Sequence, residues 1–152
     1  MASSQQPDIL TTILQKRREL IEQKGFSFGH TIPEKREKPV VPFLPEKGAI
    51  LEIKRASPSK GNIAPALKAG ETAVTYVEQG ASAISVLTEE NFFKGSLEDL
   101  CLVSAEVYKK NSKIAILRKD FLTDETELDI SYRCGADAVL LIARILETEK
   151  LC

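Results

Sequence analysis

Two stretches decide how this chain folds: Gly80-Ala-Ser-Ala-Ile-Ser-Val-Leu87 and Gly135-Ala-Asp-Ala-Val-Leu-Leu-Ile142. Each begins with a glycine suited to ending a helix, passes through alanine, and runs into a short apolar segment. Their likeness points to a repeated helix-to-strand unit. Two more apolar segments fit the same rhythm, Gly48-Ala-Ile-Leu-Glu-Ile-Lys54 and Lys113-Ile-Ala-Ile-Leu117. Strands that are apolar throughout, rather than alternating, belong to a parallel sheet covered by helices.

Helices are expected between these strands. Residues 71–79 read as one, closed by Gly80. Residues 97–110 read as another, with Ser96 as N-cap and Asp99 at the third position, a capping-box-like start. Residues 124–134 form a third, closed by Gly135, and a fourth begins at Glu147. Upstream, Ile9, Leu10, Ile13, Leu14, Leu20 and Ile21 recur at helical spacing over residues 8–24, with Pro7 before the helix and Gly25 after it. The Lys16-Arg17-Arg18 run on this helix is expected to be a solvated face. Residues 26–47 carry Pro33, Pro39, Pro42 and Pro45 and read as an extended connector. The expected division is therefore 1–47, helix and connector, and 48–152, four βα units.

Four such units fit a doubly wound sheet or half of an eight-stranded (β/α) barrel, which takes about 250 residues. No Gly-x-Gly-x-x-Gly follows the first strand, so the dinucleotide fingerprint is missing. Polar residues gather just after successive strands: Glu52 and Lys54, Thr88 and Glu89, then Arg118, Lys119 and Asp120. Barrel enzymes place their chemistry at that rim. Both observations favour the barrel.

Composition narrows the partners. The 152 residues have a formal net charge of -1, and 28% are charged. No global field favours nucleic acid or an acidic membrane. No apolar run approaches the roughly 20 residues of a membrane helix, and the N-terminus lacks signal-peptide character. The cytoplasm is the expected compartment. Cys101, Cys134 and Cys152 are odd in number and not closely spaced, against a disulfide frame or a zinc site. Cys101 and Cys134 sit in helical stretches and are expected to be packing residues. The single histidine, His30, receives no role, so proton transfer must rest on Lys, Glu and Asp.

Residues two apart on a strand share a face, so Glu52 and Lys54 project together, while Leu51 and Ile53 face helices. A structural ion pair and part of an active site are both compatible with this spacing. The Arg55-Ala-Ser-Pro-Ser-Lys-Gly61 loop is small, polar and basic, without the ending of a Walker loop. For Arg118-Lys119-Asp120-Phe121, a lysine that reaches the barrel axis beside Lys54 and a plain charged βα loop are both compatible with the sequence. Of the adjacent Phe92 and Phe93, one is expected in the core and one at a rim pocket.

Four blocks taken together resemble the indole-3-glycerol-phosphate synthase family: Glu52-Ile-Lys-Arg-Ala-Ser-Pro-Ser-Lys-Gly61, Ala83 through Ser96, Leu117-Arg-Lys-Asp-Phe121, and Gly135 through Ile142. The resemblance implies an eight-stranded (β/α) barrel, represented here by its first four units and an N-terminal extension. It implies a decarboxylating and dehydrating ring closure on a phosphorylated substrate, with no metal or organic cofactor. By resemblance, Lys119 is the general acid of ring closure, Lys54 engages the substrate carboxylate, and Glu52 orients both lysines. Ser57 matches a substrate-contacting position, and Phe93, Phe121 and Leu140 match the pocket around the substrate's aromatic ring. The family's later catalytic glutamate and most of its phosphate cradle lie beyond the fourth strand. The 152 residues alone are accordingly expected to be catalytically incomplete and poorly stable. They are expected to self-associate or to pair with a C-terminal half-barrel.

Overall fold

The computed structural model describes residues 8–43, 46–111 and 113–151. Pro7, Pro45 and Cys152 lie outside the described residues. Four parallel strands form one sheet: β1 (Ile50–Ile53), β2 (Ala83–Leu87), β3 (Ala115–Lys119) and β4 (Ala138–Val139). Their order in space is their order in sequence, and every pairing is parallel. That is the opening arc of a (β/α) barrel, in which each strand lies beside the next. Helices α2 (Ala69–Glu78), α3 (Leu97–Lys110) and α4 (Thr126–Arg133) make the crossovers, and α1 (Ile9–Lys24) precedes the sheet.

The two repeated stretches are the same structural device. Gly80 and Gly135 adopt φ of +85° and +91°, a left-handed conformation that glycine takes without a Cβ penalty. Gly80 N–H donates to the Val77 carbonyl and Ala81 N–H to that of Tyr76. Gly135 and Ala136 make the equivalent bonds to Tyr132 and Ser131. This Schellman closure satisfies the last helical carbonyls and turns the chain directly into the next strand.

Strand alternation sorts the side chains. Ile53, Ile84, Val86 and Ile116 face the helices and are buried against Ala69, Ala73, Leu97, Leu100, Val103 and Val107. Each such aliphatic burial contributes about 1.5–3 kcal/mol. The opposite, inner face carries Glu52, Ser85 and Leu117 at one level, since these residues are partners in register. At its N-terminal end, Ala83 and Ala115 are covered by Val41 and Phe43 of the connector.

The described residues of the connector form no helix or strand, as its prolines imply, yet they are fastened firmly. The buried Asp137 carboxylate accepts Arg36 (2.5 Å), Lys38 (2.8 Å), and the N–H groups of Val41 (2.9 Å) and Ile116 (2.8 Å). Burial pulls the Lys38 ammonium below its ordinary pKa, against the attraction of Asp137. Asp137 thus ties the connector to the start of β3. In the other repeat, Ser82 occupies the corresponding position.

Several expectations need correction. Arg17 is not solvated: only 4% of it is exposed. Its guanidinium pairs with Asp120 at 2.8 Å and with Glu127, and lies 4.9 Å over the Phe28 ring. Lys16 keeps a solvent-side pair with Glu19. The fourth strand spans two residues rather than six, and the chain after it turns through a short 3-10 helix, Ala143–Ile145. With β3 on one side only, Leu140 and Leu141 have no ladder partner on the other among the described residues. Phe92 and Phe93 are both half-buried, so neither is a sealed core residue. Ser96 does cap α3 through the Asp99 N–H, but the Asp99 carboxylate is taken by Arg55 instead of closing the box.

Candidate active site

At the C-terminal end of the sheet, the Glu52 carboxylate bridges two cations. One oxygen accepts Lys54 at 2.8 Å and the other accepts Lys119 at 2.7 Å. Lys54 follows β1 immediately, and Lys119 is the last residue of β3. The gap between them is filled by β2, whose Leu87 pairs with Lys119. All three charged groups project from the inner face, as the two-residue alternation requires. The cluster is open: the Lys119 side chain is 41% exposed. Burial opposes ionisation of Glu52, but the hydrogen bonds and charges of Lys119 and Lys54 outweigh it and hold the carboxyl below its ordinary value.

A groove of about 350 Å³ opens at the same end. Ser57, Phe93 and Phe121 line it, with Pro58, Ser59 and the first turns of α1. The Phe93 and Phe121 rings are 6.1 Å apart and tilted by 38°, within the range of favourable aromatic pairs. Three of the four expected substrate contacts therefore meet in one place. Leu140 does not line this groove. It sits past β4, where its N–H donates to the Arg118 carbonyl, and it is 37% exposed.

The loops that present these groups are set by buried carboxylates. Glu89 accepts the N–H groups of Asn91 (2.9 Å), Phe92 (2.6 Å) and Phe93 (3.0 Å), which fixes the turn that carries Phe93. Gly95 closes this turn against β2, where a Cβ would come within 1.9 Å of the Leu87 carbonyl oxygen. The Ser57 loop folds into a small antiparallel hairpin, Ala56–Ser57 with Gly61–Asn62. Arg55 anchors its base by reaching both Asp99 oxygens and the Leu67 and Lys94 carbonyls. The Asp99 hydrogen bond raises the Arg55 pKa. His30, given no role from sequence, pairs with Glu90 at 2.5 Å and ties the connector to the Phe93 loop.

Sequence reasoning missed a second, sealed cluster one residue away on either side of Lys119. Arg118 and Asp120 face outward into the protein and are almost wholly buried. Arg118 reaches Asp120 (2.9 Å), Thr88 (3.0 Å) and Ser131 (3.0 Å). Thr88 donates to Asp120 at 2.6 Å. Glu127 accepts Arg17 and the N–H groups of Thr123 (2.8 Å) and Asp124 (3.3 Å). Burial alone would raise the Asp120 pKa; Arg17, Arg118 and Thr88 reverse it and leave the group below its ordinary value. A signal was present in the sequence: Arg17 falls between Ile13 and Leu20-Ile21 on the apolar stripe of α1.

Among the described residues, no group of three or more His, Cys, Asp or Glu is arranged to hold a metal ion. No helix is long and apolar enough to cross a membrane.

Sequential parallel βα units, whose strand order in space follows the sequence, define the class of (β/α) barrels. Within that class, the chain belongs to the indole-3-glycerol phosphate synthase family, whose profile matches residues 10–152. It is 37% identical over 143 residues to the indole-3-glycerol phosphate synthase of Bacillus mycoides, covering 94% of this chain and 54% of that protein. The Leptospira interrogans protein of the same name is 50% identical over 102 residues, covering 67% of this chain and 38% of its own length. That of Bacillus cereus is 43% identical over 121 residues, 79% and 46% of the two chains. The chain thus spans about half the length of the curated relatives it matches.

Proposed function

We propose that this chain supplies the first half of the active site of an indole-3-glycerol-phosphate synthase, a carbon–carbon lyase of tryptophan biosynthesis. The observation that carries this is the single Glu52 carboxylate holding Lys54 and Lys119 together on the inner face. The substrate is 1-(2-carboxyphenylamino)-1-deoxyribulose 5-phosphate. A ring carbon attacks the ribulose carbonyl, and the new bond leaves negative charge on that oxygen. Lys119 is the proton donor to it. Lys54 pairs with the ring carboxylate until it departs as CO2 and the ring regains aromaticity. A hydroxyl then leaves as water on a proton delivered by a lysine, while the neighbouring carbon gives up a proton to a base and the indole double bond forms. Glu52 fixes both ammonium groups before the substrate arrives, so little reorganisation is needed in the transition state. The groove between Phe93, Phe121 and Ser57 takes the substrate's aromatic part. No metal or organic cofactor enters these steps.

The test is product formation by the chain mixed with a C-terminal half from a family relative. Lys119→Met should lower turnover by about two to four orders of magnitude, the usual contribution of a positioned acid. Retention of full turnover by this variant would sink the assignment.

A second proposal concerns association. The open flank of β4, with exposed Leu140 and Leu141, and the exposed Ile50 of β1 favour pairing with another half-barrel, supplied by a second copy or by a separate C-terminal half. Sedimentation at micromolar concentration should show a self-associated species, or a heterodimer on adding the C-terminal half. A sharply unfolding monomer that ignores that half would refute it.

A further inference from the structure

Ser85 differs from every other polar group on the inner face. It is the register partner of Glu52 across β1 and β2, so the two side chains leave the sheet on the same side. It is 3% exposed, and its hydroxyl has no hydrogen-bond partner among the described residues. A buried hydroxyl in that condition carries its desolvation cost without return. Beside it stands a carboxylate with about four acceptor positions, and Lys54 and Lys119 each take one oxygen of it.

We propose that Ser85 is a positioning residue for Glu52, its hydroxyl donating to the carboxylate when a ligand draws a lysine away. The need is chemical. A lysine that turns to a ligand deprives Glu52 of a donor and of a neighbouring charge, and both losses favour protonation of the carboxylate. A proton taken by Glu52 is one the lysines no longer hold for the ligand. A hydroxyl already stationed at the same level of the barrel keeps Glu52 ionised through that exchange. The inference rests on the proposed function only in requiring a ligand that engages the lysines.

Lys119→Met imitates the withdrawn lysine without any ligand. The Glu52 side-chain carboxyl carbon is followed by NMR titration in four forms of the 152-residue chain: unaltered, Ser85→Ala, Lys119→Met, and the double variant. The groups facing Glu52 are Lys54 from its own strand and Lys119 from β3, so Lys54 stays constant throughout. Ser85→Ala should leave the Glu52 titration nearly unchanged in the unaltered chain. In the Lys119→Met background it should raise the apparent pKa by about half a unit, a roughly threefold change in the protonation equilibrium. Ser85→Thr, which keeps the hydroxyl, should restore it. Should alanine at this buried position disturb folding, Ser85→Cys, similar in size and a weak donor, makes the same comparison. Coincident Glu52 titrations for Lys119→Met and the double variant would overturn the proposal. So would a shift of the urea midpoint by Ser85→Ala that is equal in both backgrounds with no change at Glu52, the mark of a purely structural serine. Neither substrate nor turnover enters this experiment, so its outcome is separate from that of the activity assay.

Discussion

The Lys119 cluster and the Arg118 cluster use the same chemistry, cations held on carboxylates, and the residues they are named for are consecutive in β3. They differ in surroundings. Arg118, Asp120 and Glu127 are completely buried, and every carboxylate oxygen among them accepts at least one hydrogen bond. Glu52 and its lysines are part-exposed, and their hydrogen bonds can be exchanged for bonds to a ligand. Ion pairs sealed in this way resist separation, because removing one member strands a charge in a medium of low dielectric. Pairs at a wet rim contribute little to stability and can rearrange. Alternation at the end of β3 sends Arg118 into a sealed network and Lys119 to an open rim, although the two are adjacent in the chain.

The largest effect should come from breaking the sealed cluster. Asp120→Ala leaves Arg17 and Arg118 without their shared carboxylate and should cost about 3–5 kcal/mol in urea unfolding. A loss below about 1 kcal/mol would show that the two clusters are energetically alike after all.

Acid should separate the clusters next. Glu52 and Asp120 both titrate below their ordinary values of 4.5 and 3.8, burial being overcome by the neighbouring cations. In the unfolded chain these groups bind protons at higher pH than in the folded one. Their stabilisation is therefore complete above the ordinary values and is lost as pH falls through the folded-state ones. Urea midpoints measured downward from pH 6 should stay level and then drop below about pH 4.5. Asp120→Asn should remove more of that acid slope than Glu52→Gln does. Equal slopes would contradict the distinction between sealed and open.

The smallest change in stability should come from Lys119→Met. The side chain is 41% exposed, and pairs of this kind are worth about 0–1 kcal/mol. Its thermal midpoint should stay within a few degrees of the unaltered chain, even where turnover with a C-terminal half collapses. A large drop in midpoint would move Lys119 into the structural group.

Much of this arrangement is legible in the sequence, and the reasons are local. Glycine at φ near +90° after a helix, followed by a short apolar run, fixes both the helix end and the strand start, so Gly80 and Gly135 mark the repeat. The two-residue period places Glu52 beside Lys54 whatever the rest of the chain does. What the sequence conceals depends on contacts between distant elements. Lys16, Arg17 and Arg18 look alike as letters, and only the docking of α1 decides that Arg17 alone is buried. The six-residue apolar run 137–142 promises a long strand, but a strand extends only as far as its ladder, and among the described residues β4 has a neighbour on one side. Asp99 sits where a capping box expects it, yet Arg55, 44 residues away, claims its carboxylate.

The attachment of α1 and the connector has a consequence in time. Arg17 meets Asp120 across 103 residues, and Arg36 meets Asp137 across 101. A chain made from its N-terminus presents both cations long before either carboxylate exists. Until the third and fourth βα units have been synthesised, the first 43 residues lack these two anchors. Closing loops of that length is entropically demanding and places these contacts late in folding. The α1 wall of the groove beside Ser57, Phe93 and Phe121 is thus fastened only once Asp120 and Glu127 have been made.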